Sequence, residues 1–384
     1  MQKVTETKKY FLDLVGSSIC GRPVPLCPET VDTAMLYKLA VRNAVQSILY
    51  LAVKSGDVTL PDEILNKLEK SYMAGLMREA SQQEETDFIK CEFAKNGADF
   101  MLLKGSHLKS LYPVPEMRFM VDMDILVREK DMDKCRDIVL SHGFYQKLDN
   151  GKDIIFIKEP CLTIELHKSL FQEEYFMHEY FCDVWNKAES TASNEYKMTY
   201  NDLYVYTLSH LAEHYLEAGS CFRPVMDLYL MEKKLYEQLD FEYITEQFKA
   251  LGIDGFASKI QRLCRCMFDG EEYDDDLNIM ENYIVLGPPV NNANEASKTA
   301  VSQKSKVYRI FSTVFPNMHH MKLRFPILKK YPFLLPFYWV IRLFKYAFTK
   351  DRDIARKREG LKNADQNSAD IMRRIFEKSG FQLK

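Results

Sequence analysis

The sequence predicts a mixed α+β fold, in which a small sheet is flanked by N-terminal and C-terminal helical regions. Helical periodicity dominates the first 96 residues, short strand-length apolar runs follow, and helical periodicity returns from about residue 202. A chain of 384 residues is too long for one ordinary core and suggests two or three domains.

The first region, residues 1–96, is predicted to be helical. Over residues 30–55 one polar stripe recurs at four-residue steps and apolar residues fill the rest of the surface, which predicts one long helix packed among others. Further helices are predicted over residues 61–72 and 74–96.

The second region, residues 97–190, is predicted to form an α/β core. Short apolar runs bounded by turn residues predict strands over 99–104, 122–127, 153–157 and 162–167. A short helix after the first strand and an amphipathic helix over 129–141 complete the order strand, helix, strand, helix and β-hairpin.

The remaining residues divide into three predicted regions. Residues 191–268 are predicted to form a helical domain, and 269–306 are interpreted as a loop or linker because an acidic run precedes Gly287-Pro288-Pro289. Residues 307–384 form an aromatic and charged helical region. Within it, the segment 331–348 is too short and too interrupted by charge to span a membrane. Packing within its own domain is favoured there, and contact with a membrane surface is the alternative.

Composition restricts the functional classes. A formal net charge of -3 provides no overall basic field, so a nucleic-acid partner is disfavoured. The nine cysteines are scattered without a CxxC pair, which indicates free thiols in a reducing compartment. The N-terminus has no continuous apolar signal region, and we therefore expect a cytoplasmic protein.

Carboxylates on two predicted strands carry the functional prediction. Asp122 and Asp124 lie two apart, so they project from the same strand face, and Glu165 and His167 do the same on a later strand. Three converging carboxylates repel one another, and divalent cations relieve that repulsion. Mg²⁺ prefers oxygen ligands and shares its coordination sphere with nucleotide phosphates. The pattern predicts Mg²⁺, with Mn²⁺ as the alternative, at Asp122, Asp124 and Glu165.

A phosphate-binding segment is predicted at Lys104-Gly105-Ser106. The strand ends at a glycine, which allows close backbone approach, and a helix begins directly afterwards. Ser106 adds a hydroxyl and Lys104 a positive charge, while Arg118 is the candidate clamp for the outer phosphates. A lone Gly-Ser or a lone DxD is usually an ordinary turn or strand face, and only their order along the chain points to nucleotide chemistry.

These motifs resemble a known family. The segments MLLKGSHLKSLYP, MRFMVDMDILV and LTIELHKSL resemble the uncharacterised bacterial nucleotidyltransferase family of the polymerase β-like superfamily. Met123 stands where isoleucine is usual, and Glu165 stands where aspartate is common. The resemblance implies transfer of a nucleoside monophosphate from an NTP, ATP first, to an acceptor hydroxyl with release of pyrophosphate. Asp122 and Asp124 would hold the metals, and Glu165 would share one metal and act as the base.

Acceptor recognition is the part of the function that the motifs leave open. A small-molecule acceptor is favoured over nucleic acid. Five residues are candidates for the acceptor side of the cleft: His167, His210, His214, Arg223 and Asp227. Ordinary strand or helix packing is the favoured alternative for each, and the absence of an HExxH pattern argues against a second metal site. The rival function is a non-catalytic nucleotide-binding or partner-binding module on the same fold.

Overall fold

The computed structural model describes residues 2–56, 58–160, 162–173, 175–219, 221–301, 327–348 and 366–383, together with positions 318, 321 and 325. The chain forms two compact units. The first comprises Met1–Glu213 and Ser220–Leu286, and the second comprises His214–Gly219 and Gly287–Lys384. The five-part division by residue range stays a prediction.

The N-terminal region is helical. Its helices are α1 (Gln2–Cys20), α2 (Thr33–Arg42), α3 (Gln46–Ser55) and α4 (Asp62–Lys95). The single helix predicted over 30–55 is wrong, because the chain turns at Ala44, which has a φ of 55°. Asn43 ends α2 by donating from its side chain to the carbonyls of Leu39 at 2.9 Å and Val285 at 3.1 Å.

The two helices predicted over 61–72 and 74–96 are one continuous helix, α4. Gly75 lies inside it, where glycine costs about 1 kcal/mol relative to alanine. A Cβ at Gly75 would lie 3.3 Å from the Oγ of Ser47, so the glycine permits close approach to α3. No separate helix was assigned over Gln2–Cys20, although α1 lies within residues 1–96, which were predicted to be a helical region.

A seven-stranded sheet follows. Its strands are β1 (Phe100–Leu102), β2 (Met123–Val127), β3 (Tyr145–Asp149), β4 (Asp153–Lys158), β5 (Leu162–His167), β6 (Glu189–Ala192) and β7 (Glu195–Lys197). The order is β3-β4-β5-β2-β1-β7-β6. Strand β2 pairs parallel with β5, while β1 pairs antiparallel with β2 and β4 pairs antiparallel with β5. The predicted α+β class is confirmed.

One face of this sheet carries the core. Ile125 of β2, Ile164 of β5 and Phe156 of β4 pack there with Phe93 of α4. Helix α6 (Met132–Ser141) covers the same core through Cys135 and Val139. Because strand side chains alternate, the neighbouring residues of β2 and β5 project from the opposite face.

The remaining helices before residue 287 belong to the first unit, except for residues 214–216 at the end of α9, which belong to the second. They are the five-residue α5 (Lys104–Leu108), and then α7 (His178–Phe181), α8 (Val184–Lys187), α9 (Tyr200–Leu216), α10 (Phe222–Lys234), α11 (Phe241–Leu251), α12 (Asp254–Asp269) and α13 (Asp275–Leu286). The described helices of the second unit are Ala293–Val301, Ile327–Lys330, Leu335–Phe348 and Gln366–Lys378. None of the described helices is both long and apolar enough to cross a membrane.

The loop predicted over 269–306 is wrong for two stretches, because 275–286 and 293–301 are helical. The acidic run is the start of α13: the Asp274 carboxylate accepts from the Leu277 N–H at 2.8 Å. Acidic residues at a helix N-terminus accept hydrogen bonds from its free N–H groups and interact favourably with the positive end of the helix dipole. Leu277, Met280 and Ile284 then bury one side of the helix.

Candidate active site

The face of the sheet opposite the core collects acidic side chains. Asp124 of β2 lies directly opposite Glu165 of β5 in the parallel register, and His167 follows two residues later on the same face. One potential ligand atom from each of Asp124, Glu165 and His167 lies within 4.8 Å of the others. Asp122 comes directly before β2, and its charge raises the pKa of Glu165.

His167 is held between two carboxylates. Its Nδ1 lies 2.6 Å from Asp153 Oδ1 and its Nε2 lies 3.1 Å from Asp124 Oδ1. Burial lowers the pKa of His167, but the hydrogen bonds to Asp124 and Asp153 outweigh it and raise the pKa to about 9. The ring is therefore an imidazolium at neutral pH and donates from both nitrogens.

The same contact keeps Asp124 ionised. Burial raises the pKa of Asp124, but the hydrogen bond from His167 and the charges of Lys104 and Arg223 lower it to about 2. Asp153 was missed by the sequence analysis. Its signal was the hairpin register, which sets Asp153 of β4 opposite His167 of β5.

The other two carboxylates have the opposite shift. Burial and the charge of Asp124 raise the pKa of Asp122. Burial, Asp122 and Asp124 raise the pKa of Glu165 to about 7. The face thus carries more negative charge than its neighbours neutralise, and its oxygen donors fit a hard divalent cation such as Mg²⁺.

Lys104 and Arg223 place positive charge beside these carboxylates. Lys104 is buried as the first residue of α5, and its ammonium lies 4.8 Å from the centroid of the Tyr206 ring on α9. Burial lowers the pKa of Lys104 to about 7, although the charge of Asp124 raises it. Arg223 of α10 donates to the Phe119 carbonyl at 2.6 Å, and its charge lowers the pKa of Asp122 and Asp124.

Packing against Met120 explains why position 105 is a glycine. A Cβ there would lie 2.5 Å from Met120 Cε and 2.7 Å from Met120 Sδ. Helix α5 has only five residues, so we assign no phosphate site to its N-terminus. The side chain of Ser106 lies outside the described residues. Phosphate binding by this segment stays a prediction, with Lys104 as its remaining charged candidate.

The clamp role of Arg118 toward the outer phosphates stays a prediction, and the structure shows that its guanidinium pairs with Asp227. Its Nε and Nη2 each donate to a different oxygen of Asp227 at 2.8 Å, and Tyr112 donates to the same carboxylate at 2.8 Å. Arg118 is 4% exposed and Asp227 2%. Both side chains therefore hold the segment before β2 against α10, and an acceptor contact by Asp227 stays a prediction.

The remaining acceptor-side candidates lie on α9. His210 is half-buried, and its ring centroid lies 6.0 Å from that of Tyr206 in an edge-on arrangement. His214 belongs to the second unit, where its carbonyl accepts from the Gly219 N–H at 2.8 Å. Their role toward an acceptor stays a prediction.

Comparison with protein families accounts for this arrangement. The family described as "Uncharacterised nucleotidyltransferase" matches residues 29–269, which is more than half of the chain. The chain belongs to this uncharacterised nucleotidyltransferase family. The match contains β2, β5 and α10, and it confirms the predicted resemblance, while a bacterial origin stays a prediction. Comparison with curated proteins finds no match, and neither does comparison with solved structures.

Proposed function

We propose that this nucleotidyltransferase moves a nucleoside monophosphate from an NTP, ATP in the first instance, to an acceptor hydroxyl and releases pyrophosphate. One observation carries the proposal. Asp124 and Glu165 are direct neighbours across β2 and β5, and one carboxylate oxygen of each lies within 4.8 Å of the other. A site that only bound a partner would not need this concentration of negative charge on one face.

Three side chains would hold the metal: Asp122, Asp124 and Glu165. Their donors are all carboxylate oxygens, which favours Mg²⁺, with Mn²⁺ as a substitute. Bound divalent ions supply charge neutralisation at the phosphate oxygens during an in-line displacement.

The residues of the chain divide the remaining work. His167 donates to one oxygen of Asp124, which fixes the orientation of that carboxylate and keeps it ionised. Glu165 accepts the proton of the acceptor hydroxyl as the general base. The acceptor oxygen then bonds to the α-phosphorus as the bond from that phosphorus to the pyrophosphate oxygen breaks.

Positive charge for the triphosphate would come from Lys104 and Arg223. The positive charges of Lys104 and Arg223 both lower the pKa of Asp124. Arg223 takes the place that the sequence analysis gave to Arg118. Pre-placed charges of this kind stabilise developing negative charge without reorganisation.

The acceptor is proposed to be a small molecule, because the net charge of -3 gives nucleic acid no general attraction. The cytoplasmic location also stays a prediction.

The test is release of labelled pyrophosphate from each of four NTPs with Mg²⁺, using the full chain with candidate hydroxyl acceptors. Asp124→Asn should reduce release by about 10²-fold or more, the scale for losing a positioned electrostatic group. Asp137→Asn on α6 is the matched control, because that side chain is 72% exposed. Equal release by the wild type and Asp124→Asn contradicts the proposal. Retention of NTP without pyrophosphate release by the wild type would instead favour the non-catalytic module.

A further inference from the structure

The helix Leu335–Phe348 of the second unit presents an apolar stripe to solvent. Phe333 is exposed just before the helix, and Pro336 is exposed within its first turn. With Phe337 and Val340 these residues follow the spacing i, i+3, i+4 and i+7, which places them on one side of a helix. Phe333 is 76% exposed, Phe337 61% and Val340 49%. A helix in a globular protein normally turns such a stripe toward the core. Here the stripe faces outward.

The other side of this helix is partly covered. Leu335, Tyr338 and Ile341 are half-buried, and the Tyr338 ring lies 4.7 Å from the Phe325 ring by their centroids. One side of the helix therefore packs against other residues of the second unit, among them Phe325.

The sequence segment that contains the stripe carries charge of one sign. Residues 296–350 contain eleven lysines and arginines and no aspartate or glutamate, although the whole chain has a net charge of -3. Lys329 and Lys330 directly precede the stripe, and the Lys330 ammonium lies 5.4 Å from the centroid of the Tyr331 ring. The sequence around an exposed aromatic stripe is thus uniformly basic.

The exposed apolar stripe and the basic sequence around it together indicate what kind of partner binds there. A second copy of the same surface would bring like charges together, which opposes self-association. Single-stranded nucleic acid binds through flat rings that stack on bases, whereas Pro336 and Val340 offer no aromatic face. An anionic bilayer matches both features, because acyl chains accept the apolar stripe and anionic headgroups attract lysine and arginine.

We propose that the stripe Phe333, Pro336, Phe337 and Val340 binds the surface of membranes that contain anionic lipid. The helix lies in the interface and does not cross it, because none of the described helices is long and apolar enough to span. This membrane attachment is independent of the nucleotidyl-transfer proposal, since it uses other residues in the other unit.

The experiment is flotation of the full chain with vesicles of phosphatidylcholine alone or phosphatidylcholine with one quarter phosphatidylglycerol. Binding to the anionic vesicles should be at least ten-fold stronger than to the neutral ones. It should also weaken in 0.5 M NaCl, because salt screens the headgroup attraction. The double variant Phe333→Ser with Phe337→Ser should lose binding at least ten-fold.

Tyr236→Ser is the matched control, because Tyr236 is an aromatic residue that is 66% exposed in the first unit. This variant should bind as the wild type does. Circular dichroism of each variant checks the fold, and substitutions at exposed positions are expected to preserve it. Three results would overturn the proposal: no binding to anionic vesicles, undiminished binding by the folded double variant, or equal loss in the Tyr236 control. Binding of the wild type to single-stranded RNA but not to vesicles would overturn it in favour of nucleic acid.

Discussion

Two carboxylates on adjacent strands have opposite protonation behaviour. The pKa of Asp124 is about 2 because His167 donates to it, whereas burial and two neighbouring aspartates raise the pKa of Glu165 to about 7. Groups whose environments separate their pKa values are suited to different tasks. Asp124 is permanently charged and suits metal binding, while Glu165 titrates where a base is useful.

Metal affinity should therefore depend on pH. A carboxylate must lose its proton to bind a cation, so metal competes with the proton on Glu165. With a pKa of about 7, Glu165 is mostly protonated at pH 6 and mostly ionised at pH 8. Mn²⁺ affinity should rise about ten-fold over this interval, the span expected for one linked proton.

Titration calorimetry with Mn²⁺ at pH 6, 7 and 8 measures this dependence without relying on activity. The variant Glu165→Gln should bind more weakly and show a flatter pH profile. A wild-type affinity that is constant from pH 6 to pH 8 contradicts the prediction.

The buried ion pair should dominate the local stability around β2. Asp227→Asn leaves the Arg118 guanidinium buried without an ionised partner, and such a change typically costs about 3–5 kcal/mol. Asp133 pairs with Arg136 at 2.9 Å on the surface, and its side chain is 85% exposed. Asp133→Asn should cost less than about 1 kcal/mol. Urea denaturation gives both free energies of unfolding, and a cost for Asp227→Asn no larger than for the control would show that the pair contributes little.

At the scale of elements, the sequence predicted what local periodicity can encode. Strands β2 and β5 were found because apolar and polar residues alternate along them. That alternation also predicted that Asp122 and Asp124 share one strand face, as do Glu165 and His167, whereas the β2–β5 register is what sets Asp124 beside Glu165. Strands β3 and β6 were missed because their side chains are exposed throughout, so no alternation marks them. The division of residues 30–55 was missed because Asn43 and Ala44 interrupt no apolar pattern.

The missed parts of the site depend on contacts between distant residues. Asp153 reaches His167 only through the β4–β5 register, and Tyr206 reaches Lys104 only once α9 packs near the sheet. Arg118 and Asp227 are 109 residues apart in sequence, so the motif placed Arg118 beside the nucleotide while the fold buries it against α10. Pairing and burial between residues as far apart as Arg118 and Asp227 are not readable from one sequence, whereas the Asp153–His167 pair follows from the hairpin register.

The end of α2 offers a test of one such long-range contact. Asn43 is 2% exposed and caps α2 while its amide also donates to the Val285 carbonyl of α13. Asn43→Ala leaves the Val285 carbonyl without its side-chain donor, whereas the Leu39 carbonyl keeps the backbone N–H of residue 43, and the loss costs about 1–3 kcal/mol. Asn96 caps α4 with an equivalent bond to the Glu92 carbonyl at 2.8 Å but is exposed.

Asn96→Ala should therefore change the free energy of unfolding by no more than about 0.5 kcal/mol, as surface substitutions usually do. Thermal and urea denaturation of the two alanine variants compare the caps directly. If the two variants lose equal stability, the hydrogen bond from Asn43 to the Val285 carbonyl does not stabilise the protein beyond an ordinary helix cap.

On the scale of the whole molecule, the family match and the compact unit do not coincide. The match begins at residue 29, after α1 has ended at Cys20. Yet α1 packs against α3 and α12, and Phe11, Leu14 and Val15 are fully buried. The first unit therefore includes a helix that lies outside the residues shared with the family, and the matched part depends on it for burial.

Phe11 connects that helix to the site. Its ring lies 5.5 Å from the ring of Phe222, the first residue of α10, and α10 carries both Arg223 and Asp227. Phe11→Ala should lower the free energy of unfolding by about 3–5 kcal/mol, because it leaves a cavity in a core that cannot fully collapse. Val4 lies on the same helix but is 42% exposed, so Val4→Ala should stay within about 0.5 kcal/mol of the wild type. Urea denaturation of both variants, with Mn²⁺ affinity measured below the unfolding transition, separates lost stability from a damaged site. Equal stability of the two variants would mean that the packing of α1 does not stabilise the first unit. A loss of stability in Phe11→Ala but not in Val4→Ala makes α1 part of the scaffold that holds α10 in place.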